Sequence, residues 1–230
     1  MRSVLIADSA DRSAWEKWLP TGAFYGITTN PAILERDGEQ CTADNLASLM
    51  GAAADLGAQE VQFQAWGRSE EALVASGLRI ASLERGPAGP RCVVKVPATY
   101  EGARAARRLV EAGARVTVTG VYNPGQVLTA VGIGADYAAP YLGRMTDNGR
   151  DGAASCEKMQ SMIDGVGSEM RLLVASVRSV DELTRLMAFG VDTFTFGPAI
   201  AEALWEEDLT REAAANFEGA AERMGATPLA

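Results

Sequence analysis

Short apolar runs alternate with longer amphipathic stretches from one end of the chain to the other. The runs at residues 4–8, 24–30, 60–66, 91–98, 115–121, 136–142, 171–177 and 193–197 read as strands. Between them, residues 43–56, 69–85, 101–112, 124–133, 153–170, 180–189 and 199–205 carry helical patterns. Eight strands, each followed by a helix-capable segment, predict parallel βα units. The junctions agree: EAGARV, GIGADY and MAFGVDT each set a glycine and a polar residue between helix and strand. No GxGxxG turn follows the first strand, which favours a closed barrel over an open doubly wound sheet. No linker or break in composition interrupts the pattern. The expected fold class is therefore α/β, a single (β/α)8 TIM barrel over residues 1–230 with one extra C-terminal helix.

Within a strand, side chains point alternately to opposite faces. One phase carries Asp8, then Thr28 and Asn30, Gln62 and Gln64, Lys95, Thr117 and Thr119, Tyr137 and Tyr141, and Ser176 running on to Arg178. The other phase is mostly apolar: Val116 and Val118, Leu173, Ala175 and Val177, Phe194 and Phe196. In a barrel the apolar phase faces the helices and the polar phase faces the axis. A barrel interior with no task but stability is packed with Val, Ile and Leu. Polar inward residues on seven strands, several at C-terminal strand ends, mark a site.

The stretch RCVVKVPATY (91–100) carries the strongest chemical signal, because Lys95 stands among Cys92, Val93, Val94 and Val96. Burying an ammonium is costly unless something compensates. Such a lysine is paired with a carboxylate, snorkels from a strand end to water, or supplies an amine. A desolvated lysine loses its proton more readily, and the free amine attacks carbonyls to form Schiff bases. The inward polar phase favours the functional amine.

Composition then narrows the chemistry. The chain contains no histidine, which removes Ser-His and Cys-His pairs, histidine metal ligands and histidine bases. Proton transfer falls to Asp, Glu, Tyr, Lys or water. A net charge of −9 and the lack of a long basic run speak against nucleic-acid binding. No apolar segment approaches the roughly 18 residues of a membrane span. The opening MRSVLIADSAD has too short an apolar run for a signal-peptide core, so a cytoplasmic location is expected. Cys41, Cys92 and Cys156 are odd in number and scattered, fitting reduced thiols and neither a disulfide framework nor a zinc site. Cys92, beside the site strand, reads as a packing thiol before an oxidation sensor.

Residues 209–224 place Ala213, Phe217, Ala220 and Met224 at helical spacing, with Pro228 shortly beyond. Because residues 199–205 supply the eighth barrel helix, this extra helix (209–226) either covers its own barrel or docks on a neighbouring subunit.

Four motifs, ITTNPAIL (27–34), VVKVPAT (93–99), APYLGR (139–144) and VASVR (174–178), resemble those of the transaldolase family. The closest likeness is to the small branch that contains the fructose-6-phosphate aldolases, and it runs from Asp8 to the C-terminal helix. The resemblance implies a (β/α)8 barrel with a Schiff-base lysine on the fourth strand, where Lys95 falls, and neither metal nor organic cofactor. It implies that Lys95 attacks the substrate ketone and that the protonated imine is the electron sink for C–C cleavage. Asp8 is similar to the aspartate that handles protons on the donor hydroxyls, and Thr28 and Asn30 to residues that bind the dihydroxyacetone portion. Thr119 would orient the water that shuttles protons to the imine. Arg144, Ser176 and Arg178 would hold a phosphate, although a sulfonate satisfies the same donors. From the residues alone, other roles stay open: a capping carboxylate for Asp8, a turn before Pro31 for Asn30, filler for Thr119, surface charges for the arginines.

Two positions bear on the branch. Gln64 stands where transaldolases proper carry a glutamate, and Tyr141 where they carry phenylalanine. Glutamine with tyrosine resembles the aldolase branch, in which the phenol is the general acid/base. Glu60 lies on the N-terminal side of its strand, away from the expected site. The expected activity is that of a cofactor-free class I aldolase, converting fructose 6-phosphate to dihydroxyacetone and glyceraldehyde 3-phosphate. The alternatives are a transaldolase, a relative acting on a sulfonated sugar, and a non-catalytic barrel that binds sugar phosphate. The resemblance also implies homo-oligomers, pentameric rings that pair into decamers, with the terminal helix reaching a neighbour.

Overall fold

The computed structural model describes residues 4–84, 86 and 88–227. Its strands are β1 (Val4–Asp8), β2 (Phe24–Thr28), β3 (Glu60–Gln64), β4 (Arg91–Pro97), β5 (Arg115–Val121), β6 (Tyr137–Pro140), β7 (Arg171–Val174) and β8 (Thr193–Phe196). They pair in sequence order, all parallel, and β8 closes on β1 to complete the expected barrel. Helices Ala43–Asp55, Glu70–Ala81, Tyr100–Glu111, Pro124–Ile133, Gly152–Gly165, Val180–Phe189 and Pro198–Ala203 form at the expected places, although the one expected over 153–170 ends at Gly165. The helix expected over 69–85 ends at Ala81, and Arg85 lies outside the described residues. Helices Pro124–Ile133 and Val180–Phe189 stop at Gly134 and Gly190, both left-handed, as the junction motifs require.

Several strands stop short of their expected C-terminal limits, because the chain turns as soon as it clears the barrel rim. Asn30 is not strand; it caps helix Pro31–Arg36, its Oδ1 accepting from the Ile33 N–H at 3.0 Å. The sixth strand ends at Pro140, and helix Leu142–Asp147 begins at a residue expected to be extended. These two helices and Arg12–Trp18, of six or seven residues, are absent from the pattern reading, which among helices so short found only Pro198–Ala203.

Two apolar layers hold the barrel. The outer layer lies between strands and helices and includes Ile27, Phe63, Val94, Val96, Val118, Val174, Phe194 and Phe196, with Trp15, Leu49 and Leu109 from the helices. The inner layer is a small cluster inside the barrel: Val4, Ile6, Val93, Tyr137, Ala139 and Leu173, with Tyr25 against it. Leu173 is a correction. The alternation of residues 171–177 placed it toward the helices, but Leu172 and Val174 take that side. β7 ends at Val174, so Ser176 and Arg178 belong to the loop beyond it, and strand phase cannot be carried through them.

Beside the inner cluster lies a polar floor. Glu60, 1% exposed, accepts from Gln62 Nε2 at 2.8 Å and from the Tyr137 hydroxyl at 3.0 Å. The Thr117 hydroxyl donates to Gln62 Oε1 at 2.8 Å. Burial pushes the Glu60 carboxyl above its ordinary value, although these two hydrogen bonds and the charges of Arg91 and Arg115 work the other way. Glu60 thus serves the barrel base, below the lysine.

The terminal helix, Asp208–Arg223, has no buried residue, and Phe217 is 74% exposed. It does not seal its own barrel, which leaves its apolar face uncovered. Pro228 lies outside the described residues. Among the described residues no helix is long and apolar enough to cross a membrane.

Candidate active site

Lys95 is 3% exposed, and its strand places it level with Gln64 on β3 and Thr117 on β5. Among the described residues no carboxylate pairs with it. It lines a cavity of about 510 Å³ with Asp8, Asn30 and Tyr141, and with Arg144, Ser176 and Arg178. Seven of the ten residues expected at the site therefore share one cavity at the C-terminal ends of the strands. Thr28, Thr119 and Gln64 do not line it.

Thr28 and Thr119 support residues that do. The Thr28 hydroxyl donates to Asp8 Oδ1 at 2.7 Å and lies 2.6 Å from the Thr195 hydroxyl. Thr28 has one proton and gives it to the carboxylate, so Thr195 is the donor in the second contact. This chain of two hydroxyls orients Asp8 from the neighbouring strand β2. Thr195 was not foreseen, although its signal was present: it alternates with Phe194 and Phe196, which face the helices. Thr119, 2% exposed, shares a 3.1 Å hydrogen bond with the Tyr141 hydroxyl. Gln64 is half-buried beside Lys95, and its side chain has no hydrogen bond among the described residues.

Tyr141 stands just beyond β6, where it bridges to Ala175 and precedes helix Leu142–Asp147. Its ring meets the Tyr122 ring edge-on, with centroids 5.7 Å apart, and the Arg144 guanidinium sits 5.2 Å from its centroid. The phenol is thereby held between a ring, a cation and a hydroxyl.

The expected anion site has an unusual backbone. Ser176 has φ 58°, the only positive value at a non-glycine among the described residues, and such a conformation costs about 1–2 kcal/mol. Its carbonyl accepts from the Gly143 N–H at 2.9 Å. Gly143 in APYLGR has to be glycine: a Cβ there would overlap the Ser176 carbonyl oxygen and the Arg178 side chain. Arg178 pairs with Asp147 at 2.9 Å, while Arg144 has no ion pair among the described residues. Arg36, from helix Pro31–Arg36, also lines the cavity and was not foreseen. In a chain of net charge −9, four basic side chains and one acidic one lining a single cavity make a local field that favours anions.

Cys41 is exposed, and the two buried thiols, Cys92 and Cys156, do not line the cavity. Burial pushes Cys92 and Cys156 up to about 12, and Cys92 Sγ donates to the Ile80 carbonyl. Among the described residues no three His, Cys, Asp or Glu side chains gather as a metal site would require.

A buried amine at the mouth of a parallel barrel, below a cation-rich cavity, is the architecture of a barrel enzyme. The sequence supplies the family. Residues 5–227 match the model for transaldolase/fructose-6-phosphate aldolase, and the chain belongs to that family. A probable transaldolase of Thermus thermophilus is 30% identical over 210 residues, covering 90% of this chain and 92% of that protein. A probable transaldolase of Caulobacter sp. is 29% identical over 213 residues, with 93% and 94% covered. Among solved structures, a flavocytochrome b2 variant with sulfite bound superimposes with a TM-score of 0.59 at 12% identity. That match covers 86% of this chain and 56% of the other, and its likeness is in the barrel fold alone.

Proposed function

We propose that the protein is a Schiff-base aldolase that cleaves fructose 6-phosphate to dihydroxyacetone and glyceraldehyde 3-phosphate and catalyses the reverse addition. The observation that carries this reading is Lys95, nearly fully buried, without a carboxylate partner among the described residues, and lining a cavity rich in cations. In the cleavage direction the Lys95 amine adds to the C2 carbonyl, and loss of water leaves a protonated imine. The C4 hydroxyl gives up its proton, the C3–C4 bond breaks, and its electron pair moves into the imine to form an enamine. Glyceraldehyde 3-phosphate leaves; the enamine takes a proton at C3, and water releases dihydroxyacetone. Tyr141 is the general acid/base, with Thr119 orienting the water, and Asp8 handles the donor hydroxyls. Arg144, Ser176 and Arg178 hold the phosphate, or a sulfonate in its place. No step calls for an imidazole, which this chain lacks.

The second reading is a transaldolase, in which an aldehyde acceptor captures the enamine before a proton does. The names of the relatives favour it; Gln64 and Tyr141 favour the aldolase. A steady-state assay on fructose 6-phosphate, with and without erythrose 4-phosphate, separates them. Glyceraldehyde 3-phosphate is expected without any acceptor. Product that forms only with acceptor assigns the transaldolase, and failure of borohydride to trap any adduct would point to a binding protein.

The uncovered face of helix Asp208–Arg223 supports a homo-oligomer in which this helix packs on a neighbouring copy. Truncation at about Leu209 should give smaller species in light scattering; an assembly of unchanged size rules the helix out as the contact.

A further inference from the structure

The turn that follows Asp8 is tied down at nearly every polar group. Trp15, fully buried, donates its Nε1 hydrogen to the Ser9 carbonyl at 2.9 Å. The Asp11 N–H donates to the Ser9 hydroxyl at 3.0 Å, and Asp11 in turn caps helix Arg12–Trp18. These ties are local. One tie comes from another βα unit: Asp37, just past helix Pro31–Arg36, accepts from the Ala10 N–H at 2.8 Å and the Ser9 hydroxyl at 3.1 Å. Ser9 and Ala10 are each 1% exposed, and the Asp37 side chain is 10% exposed, so these bonds form out of water. On its other side the same carboxylate is gripped by Arg36, Nε to Oδ1 at 2.6 Å and Nη2 to Oδ2 at 2.9 Å. Arg36 is 57% exposed and lines the cavity near Asp8.

We propose that Asp37 is a positioning residue for the reaction: it locks the turn bearing Asp8 to the helix after β2 and holds the Arg36 guanidinium at the cavity wall. The proposal rests on the Schiff-base reading above, in which Asp8 handles protons on the donor fragment. Asp8 ends β1 level with Thr28, which donates to its carboxylate, and the turn that follows fixes the C-terminal side of its backbone. Asp37 is charged where this matters. Burial opposes the charge, yet the hydrogen bonds from Arg36, Ala10 and Ser9 outweigh it and hold the carboxyl below its ordinary value. A neutral amide in its place keeps the shape and one acceptor but loses the paired grip on Arg36. Nothing comparable ties the anion end of the cavity to Asp37, since Arg144, Ser176 and Arg178 lie after β6 and β7.

The test is Asp37→Asn, assayed for fructose 6-phosphate cleavage as kcat per Lys95 that borohydride can trap with substrate. Counting trapped lysine removes any loss of folded protein from the rate. A catalytic group displaced by about 1 Å costs on the order of 100-fold. The expected result is a fall in kcat per trapped site of about tenfold or more, with KM changing by less than kcat falls, because Arg144, Ser176 and Arg178 are untouched and only Arg36 is released, and with trapping intact. A kcat per trapped site equal to that of the wild type, whatever the change in melting temperature, overturns the proposal by making Asp37 a purely structural clasp. Should Asp37→Asn not fold, Ser9→Ala, which removes the bond to Asp37 together with the local bond from the Asp11 N–H and leaves the charge unaltered, has to lower kcat per trapped site by about threefold, a smaller share of the same misplacement; an unchanged value overturns the proposal equally. Absence of a trapped adduct in the wild-type protein is a separate outcome that refutes the Schiff-base reading itself.

Discussion

Replacing Lys95 by methionine is expected to abolish borohydride-dependent trapping and to lower turnover of fructose 6-phosphate by about 10⁴-fold or more, the scale of loss when a covalent nucleophile is removed. Methionine has nearly the shape of the lysine stem and no charge, so packing against the neighbouring strands is kept. The fold has reason to welcome the change. Lys95 is 3% exposed without a carboxylate partner among the described residues, and exchanging a buried charged group for an apolar one of similar volume is often neutral or stabilising. The variant should therefore melt at or above the wild-type temperature in calorimetry while being inactive. Residual turnover within tenfold of the wild type would show that the amine is not the nucleophile. A lower melting temperature would show that the ammonium contributes to the barrel.

Tyr141→Phe should show the second large effect, a fall in kcat of about 10²–10⁴-fold with little change in KM, as expected for loss of a general acid/base. The substitution is narrow. The ring keeps its edge contact with Tyr122 and its place under the Arg144 guanidinium, and only the hydroxyl bonded to Thr119 disappears. Because Arg144 still has an aromatic face to lie on, the anion end of the cavity stays in place and KM with it. A loss of less than fivefold in steady-state kcat would reduce Tyr141 to a wall of the cavity. Tyr141 would then no longer favour the aldolase over the transaldolase.

What could be read from the chain depended on the distance over which each feature is encoded. Period-two alternation in β3, β4 and β5 is local, so Gln62, Lys95, Thr117 and Thr119 were assigned to the inside from neighbours one or two positions away, and the buried floor beneath Lys95 agrees. The same rule misplaced Leu173, because the chain leaves the ladder at Val174 and turns through the positive φ of Ser176. Alternation has no meaning across such a turn. Helix Pro31–Arg36 buries only the adjacent Ile33 and Leu34, which show no helical spacing, so it was missed and Arg36 with it. Asp37 was the least legible of all. Its partners Ser9 and Ala10 lie 28 and 27 positions away, and nothing in the local sequence marks them. Thr195, by contrast, was readable; its alternation with Phe194 and Phe196 was in plain view.

The hydrogen-bonded floor of Glu60, Gln62, Thr117 and Tyr137 sets more than the polarity of the barrel base. It joins side chains from β3, β5 and β6, and β4, which carries the lysine, runs between the first two. A slip of β3 by one residue would turn Glu60 and Gln62 outward and bring Val61 and Phe63 inside, breaking the bonds to Thr117 and Tyr137 at once. An apolar lumen would offer only graded resistance to such sliding, since one aliphatic contact substitutes for another. Specific donors and acceptors make the alternatives discrete, and they thereby calibrate the depth at which the amine of Lys95 stands beneath the cavity.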